Sequence, residues 1–288
     1  MSGSQKGGSG AAGYRVFFLL LSAITFLVCW LLGVRTSLGQ LLDSIAMEAV
    51  RDRAGAGYWM SSLLAKVVSE PVLVAAVVLI FGVAALRRRV DLGLRALLFF
   101  VLANGATQLL KVVLSRPQMG VGYALENSLP SGHVTVVATL VAALLVVLPR
   151  RAVPTVAVLG FLVSSAVGLA VISLGWHRPT DVIAAFAIAI FAAMIALPAG
   201  TEQVAHSMGL VYSFAFSAVV AVMSVTAVLF VALGAPETDE TVSHQQISEL
   251  AAAGSPGTVL ALSAAGLVFS FAALTFASIY RLLVFSMR

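Results

Sequence analysis

The sequence predicts an all-α fold, a polytopic bundle of membrane-spanning helices. Three observations point there. Of 288 residues, 60% are hydrophobic and only 10% charged, with a mean hydropathy of +1.05. A soluble domain carries about 25% charged residues to coat its water-facing surface. The apolar residues gather in runs near the roughly 20 residues that a helix needs to cross a hydrocarbon core about 30 Å thick. Gly and Pro punctuation falls between the runs, and no alternation of period two appears. This composition excludes a soluble enzyme, a disordered chain and a nucleic-acid binder. The net charge of +5 does not restore the last of these, because Lys and Arg sit in short groups between apolar runs.

Taken in order, residues 1–13 predict a disordered cytoplasmic tail, from the Gly/Ser-rich stretch SGSQKGGSG at 2–10. Eight helices follow, over 16–34, 71–86, 93–114, 132–149, 152–174, 181–200, 209–235 and 256–280. The first run is too long for a signal peptide, and Gly33-Val34-Arg35 offers no small-x-small cleavage site, so it predicts a retained helix. The second and fourth are short and draw on flanking residues of mixed polarity. In the 35–70 connection, Leu41, Leu42, Ile45, Ala46 and Ala49 recur at helical spacing, as do Met60, Leu63, Leu64, Val67 and Val68. They predict two amphipathic helices in the outer interface, packing over the bundle or gating lateral entry of lipid. The chain thus divides into a six-helix core over 14–200, with the interfacial helices in 35–70, and two additional transmembrane helices over 201–288.

Orientation follows from the basic loops. Lys6 and Arg15, the Arg87–Arg89 group, Arg150 with Arg151, and Arg281 with Arg288 fall on one side of eight alternating spans. That side is predicted to be cytoplasmic, with both termini. The loop 236–249, with Glu237, Asp239, Glu240 and Glu249, then lies outside; the loop 201–208 carries no basic residue and is silent. The lone Cys29 excludes a disulfide framework and a Cys-based metal site. Arginine outnumbers lysine and Ala and Val abound, a compositional bias toward a GC-rich bacterial genome; the expected location is the bacterial plasma membrane.

The conspicuous polar residues near the bilayer then fall in two outer loops. One runs from Lys111 through Ser115-Arg116-Pro117 to Pro130-Ser131-Gly132-His133; the other is Gly175-Trp176-His177-Arg178-Pro179-Thr180-Asp181. Ionisable groups at membrane depth are costly and mark function by default. His177 and Asp181 are four apart, on one face of a helix that Pro179 is suited to start. A carboxylate on one ring nitrogen fixes the tautomer and frees the other nitrogen to attack or accept a proton. The bland reading is a helix-start Asp beside a solvated His. Ser131 is a good N-cap, and Gly132 lets a ligand approach the free N–H groups of a helix start, an anion site. His133 in that first turn is placed to donate a proton. Lys111 and Arg116 add positive charge. Asn104, Gln108, Lys111 and Ser115 form one polar stripe, in which Asn104 and Gln108 read as interhelical hydrogen-bonding residues.

Lys111 with Arg116-Pro117, then Pro130-Ser131-Gly132-His133, then His177-x-x-x-Asp181 resemble the three signature blocks of the type-2 phosphatidic acid phosphatase superfamily, membrane lipid phosphatases. The resemblance covers roughly 14–200 and two departures stand out. The first block usually has six residues between Lys and Arg-Pro; counted from Lys111 that place holds Gln118-Met119, and counted back from Arg116 the lysine place holds Leu109. The third block usually has Arg six residues before its His, where Val171 stands. Arg178 is the expected compensation.

The resemblance implies that His177 attacks phosphorus to form a phosphohistidine, Asp181 holds its tautomer and His133 protonates the leaving group. Lys111, Arg116, Ser131, Gly132 and Arg178 would bind the phosphate oxygens. It implies no cofactor and no metal; besides Asp181, the two loops hold one carboxylate, Glu126. The implied substrate is an amphiphilic lipid phosphate or polyprenyl (di)phosphate, met at the extracytoplasmic face. The partner is membrane lipid, with no nucleic acid, and an oligomer stays open. A weak lipid-phosphate-binding relative and a phosphotransferase are the alternatives that use the same residues. A transporter is disfavoured by the absence of paired repeats.

Overall fold

The computed structural model describes residues 5–51, 57–67, 69–121, 127–197, 208–233, 242–252 and 254–284. Among these the fold is all-α, with one isolated parallel bridge between Val121 and Val242. Helix α1 (Gln5–Val28) continues as a π-helical end, Cys29–Val34. It is followed by α2 (Ser37–Val50), α3 (Gly57–Val67), α4 (Glu70–Leu86), α5 (Val90–Val113) and α6 (Gly132–Val147). The chain continues through α7 (Val153–Ser173), α8 (Pro179–Ala196), α9 (Met208–Leu233), α10 (His244–Ala252) and α11 (Ser255–Val284).

Each of the eight apolar runs is a helix. Among the described residues, five spans have the length and composition to cross a membrane: Ala12–Val34, Val90–Val113, Val153–Ser173, Pro179–Ala196 and Pro256–Leu283. Pro71–Leu86, Gly132–Val147 and Ser217–Leu229 are shorter apolar helices. Large apolar side chains such as Phe17, Leu20 and Ile24 of α1 face outward. A surface of that kind suits lipid. The molecule is a polytopic membrane bundle.

Helix α1 begins at Gln5, so the Gly/Ser stretch joins the first span from there on. Extending a formed helix adds one hydrogen bond per residue fixed, without a new nucleation cost. Residues 1–4, Glu126, the loop 201–207, Glu237, Asp239, Glu240 and Arg288 lie outside the described residues.

Helix α8 is the centre of the bundle. Its spanning window is 83% buried, against 22% for those of α1 and α5. Ala184, Ala185, Ala187, Ala189, Ala192 and Ala193 make it slim on every side. Small residues let neighbouring backbones approach closely, and α1, α5, α6 and α11 all pack against it. The end of α8 remote from the site is held by Arg15, which donates to the carbonyls of Met194 and Leu197. The same end of α6 is held by Arg87 Nη1, 2.5 Å from the Val147 carbonyl.

Helix α11 belongs to this core. Phe276, Ile279, Leu282 and Leu283 share one buried cluster with Phe99 of α5 and Met194 of α8. Gly160 of α7 makes room for it, since a Cβ there would lie 2.3 Å from the Phe276 ring.

Helix α2 is amphipathic, as expected, but it does not lie with its polar face in water. Its apolar side joins Val242, Ile247, Leu260 and Ala264, contributed by α10, α11 and the residues before α10. Gln40, Asp43, Ser44 and Glu48 are buried as well. The polar residues are accommodated because backbone groups of neighbouring segments meet them: Gln40 Nε2 donates to the carbonyls of Val34 and Pro117, at 2.8 and 2.9 Å. An apolar cavity of about 280 Å³ lies between α2, α8, α9, α11 and the π-helical end of α1, with Asp43 and Thr180 at its polar edge.

Candidate active site

The end of α5 meets the starts of α6 and α8 at one end of the bundle. Ser131 caps α6, its Oγ accepting from Val134 N at 3.5 Å, while its carbonyl accepts from Thr135 N at 3.1 Å. The Ser131 N–H donates to the Asp181 carbonyl at 2.9 Å, so the two helix starts are joined main chain to main chain.

At α8, Pro179 opens the helix without a lost hydrogen bond, because the first N–H groups have no intrahelical acceptor. Asp181, two residues further, returns its carboxylate to that same end, where Oδ2 accepts from Arg178 N at 2.9 Å. A negative group at a helix N-terminus is favoured by the dipole. The same oxygen accepts from Ser128 Oγ at 2.6 Å and lies 3.4 Å from His177 Nδ1. Asp181 is fully buried and His177 is 7% exposed. With Nδ1 facing Asp181, Nε2 is the ring nitrogen left for chemistry.

His133 faces that ring across the site, the two centroids 6.3 Å apart, and it packs against Trp176 at 5.3 Å. The turn that carries Trp176 and His177 needs Gly175, whose φ is +70°, a conformation that strains any residue with a Cβ. Lys111 lies in the last turn of α5. Its Nζ sits over the start of α6, 3.6 Å from where a Gly132 Cβ would stand, with Gln108 Nε2 at 3.8 Å. Gln108 thus points at the α6 start beside Lys111, a placement that its expected interhelical role did not include. Asn104 has that role: its Nδ2 donates to Thr139 Oγ1 of α6 at 3.1 Å.

Arg116 follows α5 in the connection to α6. Its Nη1 and Nη2 are buried and have no hydrogen-bond partner among the described residues. Burial, then the charge of Arg178, weighs against its protonated form, whereas Asp43 and Asp181 favour it. A buried guanidinium with open donors is a place for an anion. Arg178 is different. Although it adjoins His177 in sequence, its Nη1 donates to Ser128 Oγ at 3.1 Å. Through Nη1 its guanidinium joins the hydrogen-bond system behind Asp181, and its Nε is buried.

Lys111, Arg116, Ser131, Gly132, His133, His177 and Asp181 are thus assembled at one end of the bundle. Sequence reasoning missed Ser128, which bonds both Asp181 and Arg178, and Asn127, whose Nδ2 ties the loop to the carbonyls of Leu114 and Leu129 at 2.7 and 3.0 Å. The turn-forming Asn127-Ser128-Leu129-Pro130 was the available signal. It also missed Asp43, whose Oδ1 and Oδ2 accept from Thr180 N and Oγ1 at 3.2 and 2.5 Å. An acid between Leu42 and Ala46, on the apolar face of a helix, was the clue. Among the described residues, no group of three or more His, Cys, Asp or Glu side chains is disposed to hold a metal ion.

The fold and site define a class: a membrane helix bundle whose helix starts present a His–Asp pair, a second His and cationic groups. The model of the PAP2 superfamily matches residues 92–204, which include every one of these site residues. Over that region the chain is similar to the type-2 phosphatidic acid phosphatase superfamily, whose members generally hydrolyse phosphate esters. No curated protein and no solved structure matches the chain.

Proposed function

We propose that the protein is a membrane phosphatase that hydrolyses a lipid phosphate or polyprenyl (di)phosphate through a phosphohistidine. The observation that carries this reading is the His177–Asp181 pair at the start of α8, facing His133 at the start of α6.

In the first step the His177 Nε2 lone pair attacks phosphorus and forms the N–P bond as the P–O bond to the lipid breaks. The leaving oxygen takes its proton from His133. Asp181 accepts from Nδ1–H and stabilises the charge that develops on the ring. In the second step water attacks phosphorus, His133 takes a proton from it, and the N–P bond breaks to free His177 and release phosphate. Lys111, Arg116 and the N–H groups at the start of α6 stabilise the equatorial oxygens, the main contribution expected of a protein in phosphoryl transfer. The basic groups at the other end of the bundle support a cytoplasmic placement of that end, and so an extracytoplasmic site.

Phosphate release from a panel of polyprenyl and glycerolipid phosphates, by purified protein beside His177→Ala, tests the reading. Release by the parent and none by a folded variant is expected. Turnover retained by His177→Ala overturns the nucleophile, and binding without release favours a lipid-phosphate-binding relative. Chemistry by this route needs His177 neutral and His133 protonated, so the pH–rate profile is bell-shaped; a flat profile between pH 5 and 9 overturns the pairing.

A further inference from the structure

We infer that Asp43, on α2 and outside the region matched to the superfamily, is a positioning residue that sets the geometry of the His177–Asp181 pair by clamping the start of α8. Its kinetic arm rests on the phosphatase reading; its spectroscopic arm does not.

The first N–H groups of a helix lack intrahelical acceptors and need them from elsewhere. At α8 the Arg178 N–H is met by Asp181 of the same helix. The Thr180 N–H is met by Asp43, from an element 137 residues away in sequence, which also accepts from the Thr180 hydroxyl. Asp43 is only 6% exposed. On another side the π-helical end of α1 closes in, since a Cβ at Gly33 would lie 2.8 Å from Thr180 Cγ2. Thr180 is thus gripped between two elements, and the next residue in the chain is Asp181. The His177 Nδ1···Asp181 contact is long, at 3.4 Å, so a small rotation of this helix start takes it beyond hydrogen-bonding range.

The ionisable groups facing Asp43 are Asp181, Arg178, Arg116 and the Cys29 thiol. Burial, then the Asp181 carboxylate, raises the Asp43 carboxyl to about 6. At neutral pH the clamp is therefore an anion close to the pair. Its charge acts on the His177–Asp181 couple as well as its hydrogen bonds do.

The experiment compares Asp43→Ala, Asp43→Asn and Thr180→Val in the full chain with the parent. Asp43→Ala is expected to lower kcat about 10- to 100-fold with KM within about twofold, as for a misplaced reacting group. Asp43→Asn keeps the shape and one acceptor, recovers most of kcat, and moves the acid limb of the pH–rate profile to lower pH because an anion near His177 is lost. Thr180→Val added to Asp43→Ala costs nothing further. Unchanged kcat and acid limb, or a loss confined to KM, overturns the proposal. Should Asp43→Ala fail to fold, Asp43→Asn and Thr180→Val carry the test. The imidazole titration of His177, followed by NMR, needs no turnover. If the parent releases no phosphate, the phosphatase reading falls while this titration still decides. A lower His177 midpoint in Asp43→Asn supports the clamp, and an unmoved one overturns it.

Discussion

Helices α6 and α8 have two ends, and the chain treats them in opposite ways. At the basic end, Arg87 and Arg15 donate into the terminal carbonyls of α6 and α8. At the other end the helix starts lie beside two histidines and the guanidinium of Arg116, whose Nη1 and Nη2 meet no acceptor among the described residues. The physics is one: every helix ends with unsatisfied backbone groups and a partial charge. Where the protein meets these groups itself, the end is structural; where it leaves them open beside a cation, the end is a site. An arginine here is interpreted by what its donors reach.

The comparison is broken or sharpened by substitution at each end. The largest effect is expected from His177→Ala, with phosphate release lowered about 1,000-fold or more while the variant stays folded. Next comes Arg116→Ala, which should lower kcat/KM about 100-fold and leave the thermal midpoint close to the parent's. Arg15→Met at the basic end should do the reverse. It is expected to cost about 1–3 kcal/mol of stability, from α8 carbonyls left without a donor, with kcat/KM of the remaining folded protein within about twofold. Loss of catalysis in the Arg15 variant, or of stability alone in the Arg116 variant, breaks the division. Gly160→Val drives side-chain atoms into the Phe276 ring and should cost about 1–3 kcal/mol as a shift of the thermal midpoint.

The smallest effect is a dependence on pH. The Asp43 carboxyl titrates at about 6 in the folded chain, above its ordinary value. For a raised acid, the contribution to stability is full below the ordinary pKa and is lost as pH rises through the folded one. Asp43→Asn does not titrate. Its thermal midpoint relative to the parent should therefore climb by a few degrees between pH 5 and pH 7.5, at about 2–4 °C for each kcal/mol.

Much of the fold was legible because the bilayer demands long apolar runs, and each run from 16–34 to 256–280 is a helix. The site blocks were legible too, since Ser131, Gly132, His133, His177 and Asp181 lie at helix starts where order along the chain implies proximity. What was hidden depends on partners distant in sequence. Helix α2 looks interfacial because polar residues at helical spacing ordinarily face water; Asp43 faces Thr180, and Gln40 faces Val34 and Pro117. Ser128, which bonds both Arg178 and Asp181, bears no spacing that announces it. The depth of α11 in the core follows from Gly160, a residue unremarkable within α7 until Phe276 is placed over it.

The bond from the Ser131 N–H to the Asp181 carbonyl has a mechanical consequence. It makes the starts of α6 and α8 one jaw, unable to spread without breaking a buried main-chain contact. The opposing wall is the segment after α5 that carries Arg116. That wall is pinned by side-chain and single-bridge ties, Gln40 to Pro117 and Val242 to Gly120. His133 and the His177–Asp181 pair are thus held in fixed register by main chain, whereas the wall that carries Arg116 is tied to its neighbours by fewer bonds.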